Sequence, residues 1–149
     1  MELTFKHANE EDIMELLLIE QTTVGLKTYS AMLEQSEWED AIKNGPVFLV
    51  KNSEEENIGY VSYELKSNNH AYISGIVIVP KFQGQGLAKR IMNHVLEEIH
   101  VIKRIDLVTH PDNIKAIKLY ESLGFTIESR KENYFGDGEP RVTMALERT

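Results

Sequence analysis

The sequence predicts an α/β fold: a mixed, strongly twisted sheet in one domain spanning residues 1–149. Three observations predict it. Strand-length runs rich in β-branched residues alternate with segments of helical period, in the succession β-α-α-β-β-β-α-β-α-β-β. The stretch from Gly75 to Arg90 reads as strand, glycine loop and helix start in unbroken order. A chain of 149 residues that is 42% hydrophobic and 27% charged suits one domain with a sizeable core.

Glu2 to Lys6 reads as the first strand. Asn9 is placed to cap a helix whose first turn carries Glu10, Glu11 and Asp12, where the dipole favours acidic groups. Ile13, Leu16, Leu17 and Glu20 follow helical spacing, which takes that helix to about Gln21. Thr22 to Tyr29 is irregular, broken by Gly25. Ser30 is expected to cap a second helix through Met32, Leu33, Trp38, Ala41 and Ile42, stopped by Asn44-Gly45-Pro46. Trp38 is expected mainly in the core. Val47 to Lys51 and Ile58 to Leu65 are strands joined by the polar turn Asn52 to Asn57, and Ser67-Asn68-Asn69 turns the chain into Ala71 to Val79.

That last strand ends at Pro80, which has no N–H for a ladder. Gln83-Gly84-Gln85-Gly86 then makes a tight loop, its glycines open to conformations other residues avoid. Leu87, Ala88, Ile91, Met92, Val95, Leu96 and Ile99 recur at helical spacing beyond it, to about His100. A helix start of this kind offers unpaired N–H groups and the positive end of a dipole, a site for phosphate. The dinucleotide fingerprint is excluded because Lys89 stands where a third small residue is required. The P-loop is excluded because no Gly-Lys-Ser/Thr follows. Arg104 to Thr109 is a further strand, and His110-Pro111-Asp112-Asn113 leads into a helix bearing Ile114, Ile117, Tyr120 and Leu123 that stops at Gly124. Phe125 to Ser129 and Arg141 to Leu146 close the chain as strands around Gly136-Asp137-Gly138.

What remains of the loop, Gln83-x-x-Gly86-x-Ala88, resembles the Q/R-x-x-G-x-G/A pyrophosphate signature of the GNAT acetyltransferases. Asn113-Ile114-Lys115-Ala116-Ile117-Lys118-Leu119-Tyr120-Glu121-Ser122-Leu123-Gly124-Phe125 resembles the family's N-x-x-A-x-x-L-Y-x-x-x-G-F pattern, with one strand between the two motifs. The resemblance runs from about Val47 to Leu146 and is weaker before it. It implies the GNAT fold, with helices on both faces of the sheet. It also implies acetyl transfer from acetyl-CoA to a primary amine of a small molecule or protein, directly in a ternary complex. In the family the pantetheine arm pairs with the strand matching Ile76, Val77 and Ile78, whose N–H groups orient the carbonyl and stabilise the oxyanion. The segment Gln83, Gly84, Gln85, Gly86, Leu87, Ala88 and Lys89 would cradle the pyrophosphate. Asn113 matches the cofactor-contacting asparagine, and is equally suited to cap its helix. Tyr120 matches the general acid at the departing sulfur; the alternative is a core tyrosine with a bonded hydroxyl.

The base is open. An alkylammonium has a pKa near ~10 and must lose a proton before it attacks. The C-terminal half is similar to ribosomal-protein N-terminal acetyltransferases, which carry a glutamate on the strand before the asparagine; Val108 stands there in this chain. Glu64 and His110 are candidates, and water relays are a third route.

Composition limits the rest. The absence of cysteine removes disulfides, thiolate metal sites and a cysteine acyl intermediate. A formal net charge of −8 argues against nucleic acid, and no apolar run is long enough to span a bilayer. The resemblance implies acetyl-CoA and an amine as partners; metal, nucleic acid and membrane are not expected, a cytoplasmic protein is, and the oligomeric state is open, a homodimer being one form. A sensor that binds acyl-CoA without turnover is the competing reading; intact Asn113 and Tyr120 favour the enzyme.

Overall fold

In the computed structural model, which describes residues 1–149, seven strands form one sheet in the order β1-β2-β3-β4-β5-β7-β6. The strands are β1 Thr4–His7, β2 Val47–Lys51, β3 Asn57–Ser67, β4 His70–Ile78, β5 Arg104–Thr109, β6 Thr126–Lys131 and β7 Arg141–Glu147. The helices are α1 Ile13–Gln21, α2 Gln35–Asn44, α3 Leu87–Glu98 and α4 Ile114–Ser122. Every neighbouring pair is antiparallel except β4 and β5, which run parallel. A parallel pair needs a crossover of a dozen or more residues, and α3 supplies it.

The helices cover both faces, as the resemblance implies. On one face α3 lays Leu87, Ile91, Met92, Val95 and Leu96 against Val61, Ile73, Ile105 and Met144, and α4 adds Tyr120. On the other, Ile13, Leu16 and Ile19 of α1 join Trp38 of α2 over Leu49, Tyr60 and Val77. Trp38 is 1% exposed, a core residue as expected.

Asn9 does cap the turn before α1, accepting from the Glu11 N–H at 2.9 Å, while Asp12 returns a bond to the Asn9 N–H. The second helix needs a correction. It begins at Gln35, capped by Glu34 with Glu37 in a reciprocal box, so Ser30, Met32 and Leu33 lie outside it. The cause is tertiary: the Met32 N–H donates to Glu20 at 2.8 Å, and the Met32 carbonyl accepts from the Trp38 indole at 3.0 Å. Both backbone groups are thereby committed outside any helix.

Candidate active site

The site arises where two strands part. Ser62 pairs with Gly75 and Tyr63 with Ile73, so Ser74 is an extra residue, a bulge in β4. Pairing of β4 with β5 stops at the same point, with Ile73 and Leu107 as the last pair. Beyond it β4 follows β3 to Ile78, while β5 follows β7 to Thr109. The edge that β4 would offer β5 is left without a strand partner, and a cleft of about 590 Å³ opens there.

Ile76, Val77 and Ile78 form one wall, and Leu107, Val108 and Thr109 of β5 line the opposite side. Gln83, Gly84, Gly86, Leu87, Ala88 and Lys89 line one end of the cleft; Gln85 does not. Gly84 and Gly86 sit at φ of 79° and 73°, a left-handed region that favours glycine. A Cβ at either would meet nothing within 4 Å, so the loop leaves room along its outer surface. The first α-helical bond of α3 runs from the Arg90 N–H to the Gly86 carbonyl, which leaves the N–H groups of Leu87, Ala88 and Lys89 ahead of it. These features fit a pyrophosphate. The Gln83 side chain serves the loop itself, donating to the Ile78 carbonyl at 2.8 Å. Of the cations near the loop, Lys89 lines the cleft, and Lys81 is paired with Glu56 at 3.0 Å.

Asn113 caps α4, accepting from the Ala116 N–H at 3.3 Å, and also lines the cleft. Tyr120 projects from the second turn of the same helix and is 7% exposed. Burial, then the neighbouring Tyr29 hydroxyl, raise its pKa above the ordinary tyrosine value, and no hydrogen bond contributes. Its hydroxyl is thus a protonated donor facing the cleft without a partner in the chain.

Glu64 and His110, the two candidate bases, are not among the residues lining this cleft. Glu64 borders a second cavity of about 290 Å³, with Glu37, Asp40 and Trp38, and its carboxylate meets Lys66 at 3.3 Å. His110 is 1% exposed and committed at both nitrogens: Nδ1 accepts from the Asp112 N–H at 2.9 Å, so Nε2 carries the proton and donates to Glu139 at 2.7 Å. It ties the start of α4 to the β6–β7 loop and has no free lone pair.

Sequence reasoning missed several cleft residues. Tyr29 and its neighbours between α1 and α2 form a wall, as do Phe135 and Arg141. Glu20 and Tyr60, hydrogen-bonded to each other, also line it. The only signal for Glu20 was a carboxylate falling on the apolar stripe of its helix.

This arrangement, with a crossover helix opening on a glycine loop beside parted strands, defines a class. The model of the acetyltransferase (GNAT) family matches residues 11–125, and the chain belongs to that family. It is 34% identical over 83 residues to the [ribosomal protein bS18]-alanine N-acetyltransferase of Escherichia coli K12, covering 52% of this chain and 56% of that protein. To NAA20, the catalytic subunit of the N-terminal acetyltransferase B complex of Arabidopsis thaliana, it is 28% identical over 93 residues, 58% of this chain and 53% of the relative. The chain therefore spans about half the length of the curated relatives it matches.

Among solved structures, the ribosomal-protein-S18-alanine N-acetyltransferase from Escherichia coli superposes with a TM-score of 0.84 at 21% identity, over 99% of this chain and 95% of that one. The spermidine N-acetyltransferase from Vibrio cholerae, in complex with CoA and spermine, gives 0.82 at 21% identity over 98% and 95%. At these identities the likeness is one of fold. No helix is long and apolar enough to cross a membrane.

Proposed function

We propose that this chain is an acetyl-CoA-dependent N-acetyltransferase that passes the acetyl group directly to a primary amine of a small molecule or protein. The observation that carries the reading is the unpartnered Tyr120 hydroxyl in a cleft made by parted strands and a glycine loop. Acetyl-CoA supplies an activated thioester. The N–H groups of Leu87, Ala88 and Lys89 and the Lys89 ammonium hold its pyrophosphate against a net charge of −8. The free edge of β4 at Ile76 to Ile78 aligns the pantetheine arm and orients the acyl carbonyl. Asn113 borders the cofactor between these two regions, and Tyr120 gives its proton to sulfur as the C–S bond breaks.

The acceptor enters from the side of the second cavity, which shares Tyr60 and Ser74 with the main cleft. Glu37, Asp40 and Glu64 make that side acidic, which suits a cationic amine. Relatives named as ribosomal-protein alanine N-acetyltransferases and a fold neighbour in complex with spermine set the two acceptor types to try first. The test is CoA release by the purified chain with acetyl-CoA and an amine panel that includes a peptide with free N-terminal alanine and spermidine. Release that depends on amine supports transfer. Tight acetyl-CoA binding with no amine-dependent release favours the sensor.

A further inference from the structure

We propose that Glu20, acting through the Tyr60 hydroxyl, is the proton acceptor that converts the bound ammonium to the attacking amine. The proposal rests on the acetyltransferase reading above. That reading requires a base, and the positions considered from sequence do not provide one in the cleft. Val108 has no ionisable group, His110 has no free lone pair, and Glu64 faces Lys66 in the second cavity.

Glu20 and Tyr60 stand where a base is needed. Glu20, in the last turn of α1, is 3% exposed yet lines the cleft. One carboxylate oxygen accepts from the Tyr60 hydroxyl and the other from the Met32 N–H at 2.8 Å. The Tyr60 hydroxyl is held against Gly75, where a Cβ would lie 3.1 Å from its oxygen. Gly75 follows the bulged Ser74 and precedes Ile76, so this hydroxyl reaches the strand at the point where β4 leaves β5. Tyr60 also borders the acidic second cavity, which brings an amine arriving from that side past its hydroxyl.

The electrostatics agree with the geometry. Burial raises the Glu20 pKa; the bonds from Tyr60 and Met32 oppose this, Glu37 of α2 adds a like charge, and the net shift is upward. Tyr29, between α1 and α2, also acts on Tyr60 and on Tyr120 of α4. A carboxylate raised in this way is a stronger base than an exposed one, in the direction that general-base catalysis near neutral pH requires.

The protons balance. Tyr60 takes one proton from the ammonium as it passes its own to Glu20. The nitrogen lone pair then forms the C–N bond while the C–S bond breaks. The second proton lost by nitrogen, as the amide forms, replaces the one Tyr120 gives to sulfur. Glu20 returns its proton to solvent, so one proton is released for each amide made.

The experiment measures kcat/KM against pH for the full chain, Glu20→Gln and Tyr60→Phe, with the same amine panel and saturating acetyl-CoA. Glu20→Gln should lose about 10²–10⁴-fold in kcat with unchanged acetyl-CoA affinity. Its residual rate should climb about tenfold per pH unit, following the free-amine fraction. Tyr60→Phe, which removes only the hydroxyl, should show the same loss and the same climb, and serves alone if Glu20→Gln does not fold. Variants with lowered melting temperature but wild-type kcat and pH profile overturn the proposal while leaving the acetyltransferase reading intact. A wild-type chain that releases no CoA with any amine overturns both.

Discussion

Tyr120 carries the chemistry proposed for the leaving group, and one atom distinguishes its two roles. The ring packs against Phe125, with centroids 6.0 Å apart, so the aromatic body belongs to the core whatever the hydroxyl does. Tyr120→Phe keeps that packing and removes a donor without a partner in the chain. kcat should therefore fall by about 10²–10⁴-fold, with acetyl-CoA affinity and melting temperature nearly unchanged. A variant that loses melting temperature but keeps kcat would make Tyr120 a structural residue. Glu20 offers a second test at this scale. Its pKa is raised in the fold from the ordinary 4.5, so the folded state holds this proton more tightly than the unfolded chain. Its favourable contribution is full below 4.5 and is lost as pH rises through the raised value. The melting-temperature difference between wild type and Glu20→Gln should favour wild type most in acid and shrink above 4.5. A difference that grows with pH would contradict the assigned direction.

At the scale of elements, the glycine loop and α3 form a local unit, which is why the sequence displayed them. Pro80, the two glycines and the stripe from Leu87 to Leu96 specify their conformations within twenty residues or so of each other. Gly86→Glu places bulk and like charge in the open space along the loop and strains a backbone at φ of 73°. Calorimetry should show acetyl-CoA binding weakened by at least about tenfold in a protein that still melts cooperatively, an effect of order 1.4 kcal/mol. Unchanged affinity would move the pyrophosphate elsewhere. The start of α2 was not legible, because no local signal reports that Met32 is held between Glu20 and the Trp38 indole. Helical spacing alone read Met32 and Leu33 as part of the helix; side-chain bonds from Glu20 and Trp38 to both backbone groups of Met32 overrode it.

Across the whole molecule, the second motif fell on α4 and the first on the loop before α3, and the parallel pairing of β4 with β5 brings both to one cleft. That convergence was legible because each motif is contiguous. The pair Glu20 and Tyr60 was not, because forty positions separate the two residues and only the packing of α1 on β3 joins them. Glu64, one of the bases left open from sequence, lines the adjoining acidic cavity. Two cavities share Tyr60 and Ser74, an arrangement that suits the proposed transfer within a ternary complex. With no cysteine to carry an acyl group, initial-rate plots against both substrates should intersect. Parallel lines with an isolable acetyl-enzyme would show a different mechanism.

The reaction proposed for this cleft is movement of an acetyl group from CoA to an amine. The most direct measurement is mass spectrometry of the amine panel after incubation with acetyl-CoA and the chain, with free CoA measured in the same samples. An acetylated amine is expected in equal amount to the CoA released, with both reduced about tenfold or more in Gly86→Glu at limiting acetyl-CoA. A wild-type chain that binds acetyl-CoA but leaves every amine unmodified would contradict this reading.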